Sequence, residues 1–384
     1  MILIILNFSN NTATLPEILQ ELQGQLNREH SSHINVRRSA IWSDTCRQMS
    51  RKKFSPGNNI SVKFADNVGT SEGAVDVGGP KREFLRLAVR SANLDSGVFI
   101  GPEGCRMLYP NSLAREKDAY RLVGLILAWS VVHGGPGGKF LCPTLYDSVV
   151  YGPDVTNPSL DDVPTLQLKE KIQKIEQSTS VKELKERLYD EEIQTILSDL
   201  GASPVPSSIE QKDWYKKIIL RHVLIDSTRY LLEEFKKGLQ TLGVLDAMQR
   251  HPQQFRDVFT NENVNQLDAQ CVDLLFTVHF AEMGSNARPK QELAVILWRD
   301  YLQDCESREA KATLGDVLAF ATGADVPPTL GFDTTPTISF VDGAFPTANT
   351  CSATIRLPTI HDTYDDFKEK MDFAILNSPS FGQP

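Results

Sequence analysis

The stretch FPTANTCSATIRLP, residues 345–358, decides the fold prediction, because it places a thiol between a loop and a strand. Pro346 marks a loop, and the alternating residues 352–357 predict a strand. A cysteine at such a junction, here Cys351, is expected to be partly exposed and rigidly held, as a nucleophile with a bulky partner requires. Residue type alone leaves the role of Cys351 open, because cysteine commonly packs as a small buried hydrophobe.

Composition limits the classes of function. Of the 384 residues, 41% are hydrophobic and 23% charged, which is typical of globular proteins with two or three compact units. The net charge of -9 argues against nonspecific nucleic-acid binding, which needs a basic face. No stretch approaches the roughly 18 apolar residues of a membrane helix, so no membrane partner is expected. Residues 1–6 (MILIIL) are too short for a secretory signal and are interpreted as a first strand or the start of a fragment.

The cysteines indicate reduced thiols. Cys271 and Cys305 lie in helical patterns and are predicted to be packing residues. A structural zinc site uses local ligand pairs, and a disulfide framework suits short cysteine-rich chains, so we expect no metal and no cofactor. A reducing compartment follows, which is the cytoplasm or the nucleus. The six cysteines show no C-x-x-C pair and no close Cys/His cluster, and stand at positions 46, 105, 142, 271, 305 and 351.

Hydrophobic periodicity predicts a mainly helical chain with a few strands. The strands are expected at residues 60–64, 337–341 and 352–357. A small polar break at residues 282–286 is the candidate hinge. Helices are expected over 13–27, 34–52, from Pro80 onward, 120–132, as a pair within 166–200, over 210–239, 266–280, from Pro289 onward, within 314–323 and over 362–376.

A second informative stretch is EGAVDVGGPKREF, residues 72–84. Its paired glycines allow a tight turn, and Pro80 fits the first turn of a helix, where no amide hydrogen is needed. Glycine pairs also occur in phosphate-binding loops, but the chain has neither G-x-x-x-x-G-K-[ST] nor G-x-G-x-x-G. We therefore expect no nucleotide site.

Both stretches resemble the HECT family of ubiquitin ligases. In that family a strand leads to an acidic residue, a Gly, an Asp, a Gly pair and Arg-Glu-Phe, as in residues 72–84. The family's C-terminal lobe carries a Thr-Cys pair before an apolar strand and Leu-Pro, as at Thr350 and Cys351. A Phe stands fourth from its end, here Phe381, and an earlier helix contains a Trp, here Trp298.

The resemblance implies an α+β, bilobal HECT fold, with a large, mainly helical N-lobe and a small α/β C-lobe joined by a hinge. Many HECT domains have a strand-containing subdomain that docks the ubiquitin-conjugating enzyme, whereas the middle of this chain has helical patterns. Residues 239–244 (LQTLGV) and their flanks are more similar to the ligases named for G2/M-phase specificity. The implied divisions are an N-terminal extension at 1–35, an N-lobe at 36–281, a hinge at 282–286 and a C-lobe at 287–384.

The resemblance also implies a transferase chemistry. Cys351 is expected to accept ubiquitin from a conjugating enzyme as a glycyl thioester and to pass it to a lysine of a protein substrate. Because Thr350 and Asn349 precede Cys351 directly, they are expected to be supporting residues that position the thiol or polarise the carbonyl. Phe381 is expected to assist transfer to lysine and to contact the larger lobe. Many family members have His where Asn349 stands.

Two other functions compete with this one. The helical middle region motivates a HECT-like scaffold that binds proteins without catalysing transfer. A cysteine hydrolase would use Cys351 with His361 as general base, but no Asn or Asp partner is identifiable by spacing. His361 precedes Asp362, a candidate helix N-cap, so a histidine near the cap or on the surface is the simpler expectation.

Overall fold

The structure is a computed structural model that describes residues 13–65, 78–262 and 267–377. Phe381 and the strand predicted at residues 1–6 lie outside the described residues. None of the helices in the described part of the chain has both the length and the apolar character needed to cross a bilayer.

The described strands form three small sheets. The first two strands pair in parallel, the next two pair antiparallel, and the last four form a sheet in the order β5-β6-β8-β7. In chain order the strands are β1 (Asn27–Arg37), β2 (Asn58–Ala65), β3 (Phe99–Ile100), β4 (Met107–Leu108), β5 (Thr277–Val278), β6 (Thr337–Val341), β7 (Thr347–Asn349) and β8 (Thr354–Pro358).

Helices make up most of the remaining structure. This mixture of many helices with small sheets confirms the predicted α+β class. In chain order the helices are α1 (Leu15–Gln23), α2 (Ile41–Met49), α3 (Gly79–Leu94), α4 (Ser112–Glu116), α5 (Ala119–Val132), α6 (Pro143–Val150), α7 (Leu166–Glu176), α8 (Val181–Leu188), α9 (Glu191–Asp199), α10 (Lys212–Leu224), α11 (Arg229–Leu239), α12 (Val244–Arg250), α13 (Pro252–Phe259), α14 (Ala269–Leu275), α15 (Arg288–Ser307), α16 (Leu314–Thr322) and α17 (Tyr364–Asn377).

The chain divides into two compact units that each combine several segments. The boundaries predicted at residue 36 and at 282–286 stay a prediction. Of the described residues, the first unit contains 13–18, 92–129 and 137–262, and the second contains 19–65, 78–91, 130–136 and 267–377.

The first unit is mainly helical, as predicted for the middle of the chain. The prediction of two helices over 166–200 was wrong, because the segment forms three, α7 to α9. Ser180 accepts the N–H of Glu183 at 3.2 Å and starts α8, and Asp190 caps α9 in the same way. Such capping residues satisfy the free amides of a new helix and therefore divide the segment.

The predicted helical region 210–239 is also interrupted. Ile225 leaves helical geometry at φ -130° and ψ -60°, which ends α10 at Leu224. A short 3-10 turn at Asp226–Thr228 follows before α11 begins. The α10 and α11 helices are therefore separate, although the periodicity of their apolar residues continues across the break.

Within the first unit, α5 and α11 meet through two glycines. A Cβ on Gly124 would lie 2.9 Å from the backbone nitrogen of Leu239, and one on Gly238 would lie 2.6 Å from that of Leu125. Both distances are shorter than atoms tolerate, so only glycine allows the two backbones to approach this closely. The predicted helix at 120–132 is confirmed, and its glycine serves this crossing.

In the second unit, the helix predicted over residues 34–52 was wrong in its first part. Ile34 and Val36 are buried while their neighbours are exposed, which is the period-two pattern of a strand. That strand is β1, and the helix begins only at Ile41. The strand predicted at residues 60–64 is confirmed as part of β2, which pairs with β1.

The four-stranded sheet in the second unit packs against helices α14 to α17. The helix predicted over 266–280 was wrong at its end, since α14 stops at Leu275 and the chain continues as β5. The strand predicted at 337–341 is confirmed as β6. The strand predicted at 352–357 is confirmed as β8 only from Thr354 onward, since the two residues before it lie in a turn, and β7 was not predicted. The core of this part is formed by side chains from every layer, including Val272, Trp298, Val317, Ile338, Ile355 and Phe367.

Candidate active site around Cys351

Cys351 lies at the tip of a β-hairpin. Strands β7 and β8 pair antiparallel, with Asn349 opposite Thr354, so residues 350–353 form the connecting turn. The side chain of Cys351 is partly exposed and the thiol is free. The prediction of a reachable thiol beside a strand is therefore met by the geometry.

The side chain of Asn349 holds the turn. Its Oδ1 accepts the backbone N–H groups of Cys351 at 3.0 Å and of Ser352 at 3.2 Å. This is the local side-chain to backbone arrangement that stabilises turns after Asn or Asp. The amide of Asn349 thus fixes the backbone on both sides of the Cys351 Cα and limits the positions that the thiol reaches.

Ala353 closes the turn in a left-handed conformation. Its φ of 50° is unusual for a residue with a Cβ and costs about 1–2 kcal/mol. The turn holds it there through two hydrogen bonds, because its N–H donates to the Thr350 carbonyl at 3.3 Å and its carbonyl accepts from Thr337 N–H at 2.9 Å. The hairpin tip is therefore tied to the neighbouring strand β6.

A buried arginine supports the same turn from a distant part of the sequence. Arg82 in α3 is only 8% exposed, and its Nη2 donates to the Thr350 carbonyl at 2.6 Å. Its Nε donates to the Thr322 carbonyl at 2.8 Å, at the end of α16. A charged donor to a buried carbonyl makes a stronger hydrogen bond than a neutral one. One guanidinium thus links the residue before Cys351 to the end of a helix.

Gly79, at the start of α3, allows this approach. A Cβ at that position would lie 2.6 Å from Thr350 Oγ1 and 2.8 Å from the backbone nitrogen of Cys351. Thr350 itself is 3% exposed, so its side chain has little room to move away. The second glycine of the predicted pair is therefore needed for close packing against the turn.

The remaining residues of the Arg-Glu-Phe motif anchor α3. Glu83 is buried and receives two hydrogen bonds from Arg38, at 2.8 Å and 3.1 Å. Phe84 is fully buried. Sequence reasoning identified this motif as a family feature but missed its contact with the Cys351 turn, because 268 residues separate Arg82 from Thr350.

His361 is engaged elsewhere. Its Nε2 lies 2.8 Å from the Ala344 carbonyl, and its ring stands edge-on to Phe367 at 6.3 Å between centroids. Within the described residues, no side chain hydrogen-bonds the Cys351 sulfur. The Cys351 and His361 pair needed by a cysteine hydrolase is therefore absent from the described site.

The other thiols have different surroundings. Cys271 was predicted to pack but is exposed, because it lies in the first turn of α14, where its N–H donates to Asp268. Cys305 is buried as predicted, and burial raises its pKa to about 12. Burial also raises the pKa of Cys46 to about 12. Cys271 is thus more exposed than Cys351, and Cys305 is more buried.

Residues 87–383 match the family model described as HECT-domain (ubiquitin-transferase). The chain belongs to the HECT family. The predicted HECT family is thereby confirmed, and so is the α+β fold class that it implied. The matched segment includes residues 345–358, whereas residues 72–84 precede it.

Several curated proteins are similar to almost the whole of this chain. It is 34% identical over 361 residues to the G2/M phase-specific E3 ubiquitin-protein ligase of Gallus gallus, covering 94% of this chain and 47% of that protein. The protein of the same name from Homo sapiens is 33% identical over 374 residues, covering 97% and 50%. Ubiquitin-protein ligase E3B of Mus musculus is 23% identical over 444 residues, covering 98% and 38%. The chain spans about half the length of the two ligases that share a third of its residues.

Proposed function

We propose that this chain is the catalytic HECT domain of a ubiquitin-protein ligase and that Cys351 is its nucleophile. The observation that carries the proposal is a partly exposed thiol on a rigidly held hairpin turn, within the segment that matches the family. The names of the relatives support the ligase activity. Ubiquitin, a ubiquitin-conjugating enzyme and a protein substrate are the proposed partners, in the cytoplasm or nucleus.

The reaction has two transfers. In the first, the Cys351 thiolate attacks the thioester carbonyl that joins ubiquitin to the conjugating enzyme, and the enzyme's thiol leaves. In the second, a substrate lysine amine attacks the new thioester, an amide forms, and the Cys351 thiol is released. Thioester exchange replaces one bond by another of the same type, so positioning of the sulfur governs its rate.

The supporting residues act on that positioning. Asn349 fixes the two amides at and after Cys351. Thr350 contributes its carbonyl to Arg82 and its buried side chain to the packing against Gly79. We propose Asn349, Thr350 and Arg82 as positioning residues. Phe381 lies outside the described residues and is proposed to assist transfer to lysine, as in the sequence analysis.

A thioester assay tests the proposal. Conjugating enzymes charged with ubiquitin are mixed with the chain, and products are separated with and without reductant. A reductant-sensitive ubiquitin adduct is expected, absent in Cys351→Ala and converted to a reductant-stable ester in Cys351→Ser. Cys271→Ser is the matched control, since it removes another exposed thiol of the same unit.

A scaffold without catalytic activity is the second candidate. The helical middle region favours it, since the described residues 166–250 form helices α7 to α12 and contain no strand. It predicts no adduct from any conjugating enzyme on a protein whose circular dichroism shows a folded state. An adduct that persists in Cys351→Ala would overturn the assignment of the nucleophile and keep the ligase class.

A further inference from the structure

A second thiol site lies in the first unit, far from Cys351 in sequence. The sulfurs of Cys105 and Cys142 and a carboxylate oxygen of Asp162 all lie within 4.8 Å of one another. The thioether of Met107 also contacts the Cys142 sulfur. Three side chains with metal-binding atoms therefore lie close together, and a thioether lies beside one of them.

Backbone hydrogen bonds hold these residues in place. Arg106 N–H donates to the Phe140 carbonyl at 2.6 Å, and Cys142 N–H donates to the Arg106 carbonyl at 3.0 Å. These bonds form a parallel bridge between Arg106 and Leu141, so Cys105 and Cys142 flank the same pair of residues. The two sulfurs are thus positioned before any ion binds.

Asp162 joins them from a third segment. It is 4% exposed, and its Oδ2 accepts the N–H of Thr144 at 2.8 Å. Its Oδ1 faces the Cys105 sulfur at 3.7 Å. A tetrahedral zinc ion with bonds of about 2.3 Å to sulfur and 2.0 Å to oxygen separates those two ligand atoms by about 3.5 Å. The observed separation matches that spacing closely.

Burial and access also suit an ion. Cys142 is fully buried, whereas Cys105 is partly exposed and leaves a route from solvent. Thiolates and carboxylates are both ligand types found in zinc sites, and thiolates favour zinc over the harder divalent ions. The carboxylate is oriented by the Thr144 amide, as ligands in metal sites commonly are.

We propose that Cys105, Cys142 and Asp162 form a structural site for one zinc ion, which ties three segments of the first unit together. Binding releases the thiol protons to solvent as the sulfurs coordinate the metal. This site is independent of the proposed transferase reaction and is tested without ubiquitin. Spacing along the sequence gave no signal for it, because 37 residues of chain separate the two cysteines and only the tertiary fold joins them.

The test uses the whole chain, stripped of metal with a chelator under a phosphine reductant. Zn²⁺ is added against a chromogenic chelator, and Co²⁺ is added separately to record thiolate charge-transfer and tetrahedral visible bands. One equivalent of tightly held Zn²⁺ is expected. Cys105→Ser, at the partly exposed position, and Asp162→Asn are expected to weaken binding on the order of tenfold or more, by analogy with the loss of supporting groups in metal sites.

Cys271→Ser is the matched control. It should still bind one equivalent of Zn²⁺, because the thiol of Cys271 lies outside the cluster. Zn²⁺ should also raise the melting temperature of the wild-type chain but not that of Cys105→Ser, since an ion that binds only the folded state stabilises it. The proposal is wrong if no Zn²⁺ is retained, or if Cys105→Ser binds Zn²⁺ and gains stability as the wild-type chain does.

Discussion

Cys351 and the Cys105–Cys142 pair share a residue type but have opposite surroundings. Cys351 stands on a turn, partly exposed, and no described residue hydrogen-bonds its sulfur. Cys142 is fully buried, and its sulfur lies near those of Cys105 and Met107 and the carboxylate of Asp162. The difference shows that the groups around a sulfur decide its chemistry. An open sulfur on a fixed turn suits acyl transfer, whereas converging donors suit a metal ion.

The largest expected effect is on alkylation by iodoacetamide near pH 8, because only the thiolate reacts. Burial raises the pKa of Cys46 and of Cys305 to about 12, so their thiolate is about 1,000-fold scarcer than that of a thiol of pKa about 9. We expect these two to be labelled more slowly than Cys351 in the folded chain, because burial disfavours their thiolates. Mass spectrometry of peptides after timed quenching measures the rates.

Unfolding in urea is the control for this comparison. It exposes every thiol to solvent, so the alkylation rates of the six cysteines should become similar. The pH dependence has a definite sign. Because their pKa values are raised, labelling of Cys46 and Cys305 should keep accelerating above pH 9. Equal native rates for Cys305 and Cys351 would break the contrast between open and buried thiols.

Removal of the arginine that holds the Cys351 turn should have the next largest effect. Arg82→Ala leaves the buried carbonyls of Thr322 and Thr350 without this donor, and each such loss costs about 1–3 kcal/mol. We expect the free energy of unfolding to fall by about 3 kcal/mol in urea titrations. Ubiquitin transfer should fall as well, because the turn loses its support.

Arg90→Ala is the matched control for Arg82, because Arg90 lies on the same helix and is exposed. Its effect on stability should stay within about 0.5 kcal/mol. Transfer at the wild-type rate by Arg82→Ala, with unchanged stability, would show that the turn needs no support from α3.

Asn349 permits a finer test of the turn. Asn349→Ala removes the acceptor of two amides and should slow transfer to Cys351 by about tenfold, with a loss of about 1 kcal/mol of stability. Asn349→Asp keeps an oxygen in the same place and should recover most of the rate. Single-turnover transfer from a charged conjugating enzyme measures both. If Asn349→Asp folds but transfers ubiquitin as slowly as Asn349→Ala, the role of Asn349 as acceptor of the two backbone amides is refuted.

The smallest effect concerns the end of the turn. Ala353→Gly relieves the left-handed strain at φ 50° but removes a buried methyl group. The two contributions nearly cancel, so we expect the free energy of unfolding to rise by about 0.5 kcal/mol in thermal or urea unfolding. The rate of ubiquitin transfer should not change. A large loss of stability would mean that packing of the methyl group outweighs the backbone strain.

The local parts of the site followed from the sequence, and the distant ones did not. The loop and strand around Cys351 were predictable because the alternation of residues 352–357 is a local signal. Arg82 and Thr350 meet only in the folded chain, and so do Cys105 and Cys142. The strand β1 was missed because its few alternating residues, such as Ile34 and Val36, run into the apolar start of α2.

The crossing of α5 and α11 constrains how this protein can vary. Gly124 and Gly238 bring two bare backbones together, and a side chain on either would force the same two helices apart. A change at one position therefore cannot be rescued by a change at the other. In a saturation library, both positions should reject every other amino acid, whether small, apolar or charged. Other positions of this unit can vary during evolution while these two glycines stay invariant. A library would show this as two positions at which no substitution is tolerated.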